Sequence, residues 1–299
     1  MFTMINVLRS NLCDYKFQEK EKEMKKFIRI LTNIIRCIII IICVITLCFS
    51  SYMIFTNIQQ MNKQNADDEQ LIAEIMQQQK EDSNEGTTEQ EEKPVEIFEP
   101  DKNTYSQLVS GNSEYVGWIK WDTNIINEPI MHDRKDDYYL KHNYYGNEST
   151  AGSICLDDAA TVDDQNIFIY GHSMFYFADN LNGKFTPLRN MVHQSYYEAN
   201  KTFKIWWADR MTCYEVVAAC DIDATTTNWG YATPVFYSEE GFNKWKSLLQ
   251  EVNLISSPTE YAWTDKFVTL QTCTNPEGNQ RTFVVAKAVG DYLYSDFVE

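Results

Sequence analysis

Cys273, Arg281 and His172 are the residues in this chain whose types and settings could do chemistry together. A cysteine attacks as its thiolate, and a fixed cation close by favours the thiolate. Arginine is always charged and presents several donors, so beside a cysteine it can also hold an oxyanion or a substrate carbonyl. A histidine can hand a proton to a departing amine. Cys and His far apart in sequence, each at a strand end, fit the general arrangement of a cysteine nucleophile with its base. The other histidines are weaker candidates: His132 and His142 lie in polar, loop-like stretches, and His193 lies in a helical insertion.

The elements that must position these groups are short. Phe267 to Cys273 alternates β-branched and apolar residues and reads as a strand that ends on the cysteine; Arg281 to Val289 reads as the next strand. Thr274 to Gln280 between them is rich in turn residues, which predicts a hairpin. The last residue of one strand and the first of the next then lie side by side, about 5 Å apart. Asn166 to Tyr170 is another strand-like run, broken at Gly171 just before His172. Each group also has a plainer reading: a buried cysteine, a strand-end histidine, an arginine paired with an acid. Tyr170, Thr272 and Gln271 are read as residues of the pocket, with packing as the alternative. Glu277 in the Cys–Arg loop would steer a cationic nucleophile or serve only as a solvated charge.

Further out, the chain divides by composition. Residues 1–36 are a basic tail with eight Lys and Arg against four acids. Residues 37–55 run 19 positions without a charge, close to the roughly 20 needed to span a bilayer. A cleaved signal peptide is the alternative, with Ser50-Ser51 as its weak cleavage site. Residues 56–94 are read as an acidic flexible linker, although Leu71, Ile72, Ile75 and Met76 would make one face of a short helix. The charge asymmetry puts the N-terminus in the cytoplasm and the remainder outside. Residues 95–299 are globular in composition. Aromatic and β-branched runs at 115–121, 128–131, 154–156, 166–170, 202–207, 214–219, 267–272 and 282–289 read as many short strands, which leaves barrel or sandwich open. Two insertions read as helical, Phe185 to Glu198 and Ser238 to Val252; the second has Ser238 as N-cap and an apolar face of Phe242, Trp245, Leu248, Leu249 and Val252.

The strand Thr269-Leu270-Gln271-Thr272-Cys273, the Arg281 that opens the next strand and the upstream Tyr170-Gly171-His172 together resemble the signature of the sortases, membrane-anchored cysteine transpeptidases of Gram-positive bacteria. Tyr139-Leu140, Asn143-Tyr144, Gly146 and Gly152-Ser153-Ile154, with the helix before the cysteine strand, resemble class B. The resemblance covers roughly 95–289. It implies a mainly β, closed eight-stranded barrel with flanking helices, preceded by the membrane helix. It also implies roles: Cys273 as nucleophile, His172 as general acid and base, and Arg281 on the oxyanion. The implied partners are surface proteins with a C-terminal sorting motif (Leu-Pro-x-Thr-Gly-like or Asn-Pro-x-Thr-Asn-like, cleaved after Thr), a cell-wall precursor amine and the cytoplasmic membrane. Gln271 stands where class B relatives can carry a small hydroxyl residue, which would shift motif preference.

No cofactor or metal is expected: Asp157-Asp158 and Asp163-Asp164 do not match a calcium loop, and no cysteine or histidine spacing suggests zinc. Cys155, Cys213, Cys220 and Cys273 are expected as free thiols. Residues 101–299 carry 15 basic against 27 acidic side chains, the wrong sign for nucleic acid. Three alternatives remain at this point: a pilin-polymerising sortase, a plain cysteine protease, and a non-catalytic surface-binding domain.

Overall fold

The computed structural model describes residues 2–83, 100–134, 136–173, 184–227, 230–274 and 278–294. The chain forms two compact units, Met1–Gln59 and Gln60–Glu299. The first is helical. It is the N-terminal part of α1 (Phe2–Ser83) and contains a 33-residue stretch, Met24–Thr56, long and apolar enough to cross a bilayer. Ile38 to Ile42, Leu47, Phe49 and Phe55 all expose their side chains there.

The second unit is a closed barrel of eight strands: β1 (Tyr115–Trp121), β2 (Asn127–His132), β3 (Ile154–Leu156), β4 (Asn166–Tyr170), β5 (Thr202–Trp206), β6 (Arg210–Asp223), β7 (Phe267–Cys273) and β8 (Gln280–Leu293). They pair in the order β1-β2-β3-β4-β7-β8-β6-β5 and back to β1. Two neighbours, β2/β3 and β4/β7, are parallel, and the rest are antiparallel. A parallel pair needs a crossover. The β4-to-β7 connection supplies it; α2 (Lys102–Gly111) precedes β1, and this connection carries the 3-10 helix Thr186–Val192, α3 (Gln194–Ala199) and α4 (Glu239–Val252).

Alternation sets the inside of the barrel. Ile167 and Ile169 of β4, Val268 and Leu270 of β7, and Val284 and Ala286 of β8 belong to one buried core with Trp121, Phe203 and Leu188. The opposite face of β6, β7 and β8 is covered by α4: Phe242, Trp245 and Leu249 pack with Phe267, Phe283, Val285 and Cys220. Ser238 caps this helix, its Oγ accepting from the Gly241 amide at 3.1 Å, and Glu239 and Glu240 occupy the first turn.

The segment expected as a flexible linker is different where it is described. Helix α1 continues to Ser83, and the second unit begins at Gln60 rather than near Val95. Leu71 and Ile75, one helical turn apart, are buried with Leu108, Tyr115, Trp118, Met131 and Tyr144. Gln79 Nε2 donates to Thr104 Oγ1 at 2.8 Å and Asn143 Nδ2 donates to Asp67 Oδ2 at 3.1 Å. Four apolar residues on one face were enough to dock an otherwise polar helix.

Candidate active site

The site is built from three neighbouring strand ends. In the β7–β8 hairpin Cys273 is the register partner of Arg281, as the loop length predicts. On the other side β4 runs parallel to β7 with Tyr170 opposite Gln271. The ladder continues past the end of β4, where the Gly171 amide donates to the Gln271 carbonyl at 3.1 Å. One more step places His172 beside Cys273, with backbones about 5 Å apart. Side-chain parity then decides which way they face. Val268, Leu270, Ile167, Ile169, Val284 and Ala286 point into the barrel. Cys273, His172 and Arg281 have the opposite parity, so all three lie on the outer surface in one row, with the cysteine in the middle. Behind them a second row holds Tyr170, Gln271 and Phe283.

Cys273 is partly exposed and is a free thiol. Arg281 Nη1 donates to the carbonyls of Gly278 (3.2 Å) and Gln280 (3.0 Å), which holds the guanidinium at the mouth of the hairpin loop. His172 is partly buried, and its Nε2–H donates to the Leu140 carbonyl at 2.9 Å. That bond selects the tautomer and leaves Nδ1 without the proton in the neutral ring. Burial pushes the imidazole below its ordinary value, while the Leu140 carbonyl and the charge of Asp137 oppose the shift. A cleft of about 880 Å³ opens beside His172, lined by Leu140, His142, Asn143, Glu148, Thr150 and Asp67 of α1.

The three residues expected to touch substrate have different surroundings. Gln271 is half-buried on the outer face, and its Oε1 accepts from the Tyr231 hydroxyl at 2.5 Å. The Tyr170 hydroxyl is engaged with Asp133. Thr272 is 2% exposed and has inward parity, and its Oγ1 donates to the Gly171 carbonyl at 2.8 Å. It bonds β7 to the residue before His172, which fits the packing alternative. Alternation from Cys273 already requires this inward direction. Glu277 lies outside the described residues.

Sequence reasoning missed Tyr231 and the Leu140 carbonyl. Tyr231 stacks on Phe283, with centroids 4.5 Å apart and planes at 11°, and its carbonyl accepts from Trp245 Nε1 at 3.1 Å. It thereby ties the loop before α4 to the second row. Nothing local marks it, because its partners lie 40 and 52 positions further on. Just before α4, Tyr237 is 94% exposed and lines a smaller cleft with Thr233, Phe236 and Lys244.

The closed eight-stranded barrel thus carries a cysteine, a histidine and an arginine in one outward row. No family model matches the chain. Among known proteins it is 30% identical to the sortase B of Listeria monocytogenes over 164 residues, covering 54% of this chain and 63% of that relative, somewhat under two thirds of its length. It is 25% identical to the sortase B of Staphylococcus aureus over 189 residues, covering 62% of this chain and 74% of that one. The fold matches the solved S. aureus sortase B–substrate complex at a TM-score of 0.63 and 20% identity, over 76% of this chain and 97% of that structure. The chain is thus similar in sequence to sortase B proteins and in fold to a solved sortase B.

Proposed function

We propose that this chain is a membrane-anchored cysteine transpeptidase that acts on a C-terminal sorting motif. The observation that carries the reading is the single outward row His172–Cys273–Arg281, assembled from three adjacent strands. In the first half-reaction the Cys273 thiolate adds to the carbonyl after the motif threonine. Arg281 holds the oxyanion as the carbonyl opens. The C–N bond then breaks, the departing amine takes a proton from His172, and a thioester remains on Cys273. In the second half-reaction an amine of a cell-wall precursor attacks the thioester. His172 takes a proton from it, the C–S bond breaks, and the thiolate returns. The apolar Met24–Thr56 stretch is the anchor, and the basic residues before it put the N-terminus inside and the barrel outside.

The test uses the full chain in detergent micelles with a set of five-residue sorting peptides, with and without a diaminopimelate- or glycine-type amine. Mass spectrometry is expected to find a thioester on Cys273, cleavage after threonine and an amine-dependent ligated product, all absent in Cys273→Ala. Hydrolysis that added amine leaves unchanged would make it a protease instead. A folded protein that forms no adduct with any peptide would remove the catalytic reading.

A further inference from the structure

We infer that Asp133 is a positioning residue for His172, holding both ends of the hydrogen bond that orients the imidazole. The inference rests on reading His172 as the acid and base of the site. Asp133 follows β2 directly and is 3% exposed. Its Oδ1 accepts from the amides of Arg134 and Tyr139, each at 2.9 Å. Its Oδ2 accepts from the Tyr170 hydroxyl. Tyr139 is the residue before Leu140, whose carbonyl receives the His172 Nε2–H. Tyr170 lies two positions before His172 on the same outward face of its strand. One carboxylate therefore grips the backbone behind the acceptor and the strand behind the donor.

The loop needs such a grip. Asp136 and Asp137 turn the chain back with φ of 75° and 53°, in the left-handed region that non-glycine residues adopt at a cost. What returns the Tyr139 amide is Asp133 on one side; the Ser153 amide donates to the Tyr139 carbonyl at 2.7 Å on the other. The Tyr139 ring is itself fixed, its hydroxyl donating to Glu114 at 2.6 Å and accepting from Asn112 Nδ2 at 3.0 Å. Aspartate suits the position because both of its oxygens accept; asparagine offers one acceptor and one donor, and alanine neither. The groups charged or titratable around the imidazole are Cys273 and Arg281 in its own row, Tyr170 behind it, Asp137 on the Leu140 loop, and Lys141, His142, Glu148 and Asp67 around the cleft. None of them makes the link that Asp133 makes.

The experiment follows the ring nitrogens of His172 by NMR in the full chain, ¹⁵N-labelled at its four histidines and held in micelles, with His172→Gln assigning the signal. Peptide turnover is measured on the same samples. In the parent protein the Nε2–H tautomer is expected. Asp133→Ala is expected to lose that fixed tautomer and to titrate at lower pH, because the lost carbonyl bond favoured the imidazolium. Its kcat should fall about tenfold to a hundredfold with KM unchanged, the size of effect that misplacing a catalytic group produces. Asp133→Asn, which keeps the Oδ1 acceptor, should recover most of the tautomer signal. Tyr170→Phe should shift the titration in the same direction by less, and should add little to Asp133→Ala. A parent-like tautomer and titration in Asp133→Ala, or in Tyr170→Phe should the alanine variant not fold, would overturn the inference. Failure of the parent protein to turn over any peptide would instead count against the transpeptidase reading, and the nitrogen signals would still decide the role of Asp133.

Discussion

Thr272→Val separates two accounts of the residue next to the nucleophile. Valine has nearly the shape of threonine but no hydroxyl, so the change deletes the 2.8 Å bond to the Gly171 carbonyl. That carbonyl lies where β7 pins the strand carrying His172, and a buried acceptor left unpaired costs about 1–3 kcal/mol. For a domain of this size each kcal/mol lowers Tm by about 2–4 °C. The expected fall is therefore about 2–12 °C by calorimetry of the full chain in micelles. KM for a sorting peptide should not change, since the side chain points into the barrel, while kcat should drop as the His172–Cys273 spacing loosens. Thr272→Ser keeps the hydroxyl and loses one buried methyl, about 0.8 kcal/mol. It should retain kcat. An unchanged Tm with a raised KM in Thr272→Val would refute the argument and put Thr272 in the groove after all.

Two further outcomes are expected. The acid limb of kcat/KM should lie below pH 6.5, because burial disfavours the imidazolium of His172; the active pairing forms as pH rises through this lowered value, so a limb above 6.5 would contradict the burial seen here. A chain begun at residue 95 should melt lower than one begun at Gln60, because it lacks Leu71 and Ile75. Their burial contributes about 3–6 kcal/mol before the entropy of ordering the helix is subtracted, and equal Tm values would show that the docked helix adds nothing.

Strand periods and local turns were legible in the chain from the start. The eight strands fall on the runs that alternate, and the Cys273–Arg281 pairing follows from a hairpin with seven residues between the two. Pairing that close in sequence depends on little but turn chemistry. The Ser238 cap and the apolar face of α4 were legible for the same reason.

What the sequence left undecided depends on contacts between distant segments. His172 and Cys273 are 101 positions apart, and only the parallel β4–β7 pairing, with its long crossover, brings them into one row. Barrel closure through β1 and β5 turned an open question into a definite architecture. The flexible-linker reading of 56–94 failed over its described helical part because composition averages over a window, whereas docking needs only the four apolar residues Leu71, Ile72, Ile75 and Met76 at the right spacing and a hydrophobic surface to receive them. The Leu140 carbonyl that orients His172 is a backbone atom and carries no residue signature. Asp133 looked like one more acid in a polar loop. Burial and three converging donors, which only the folded chain supplies, give it a distinct place.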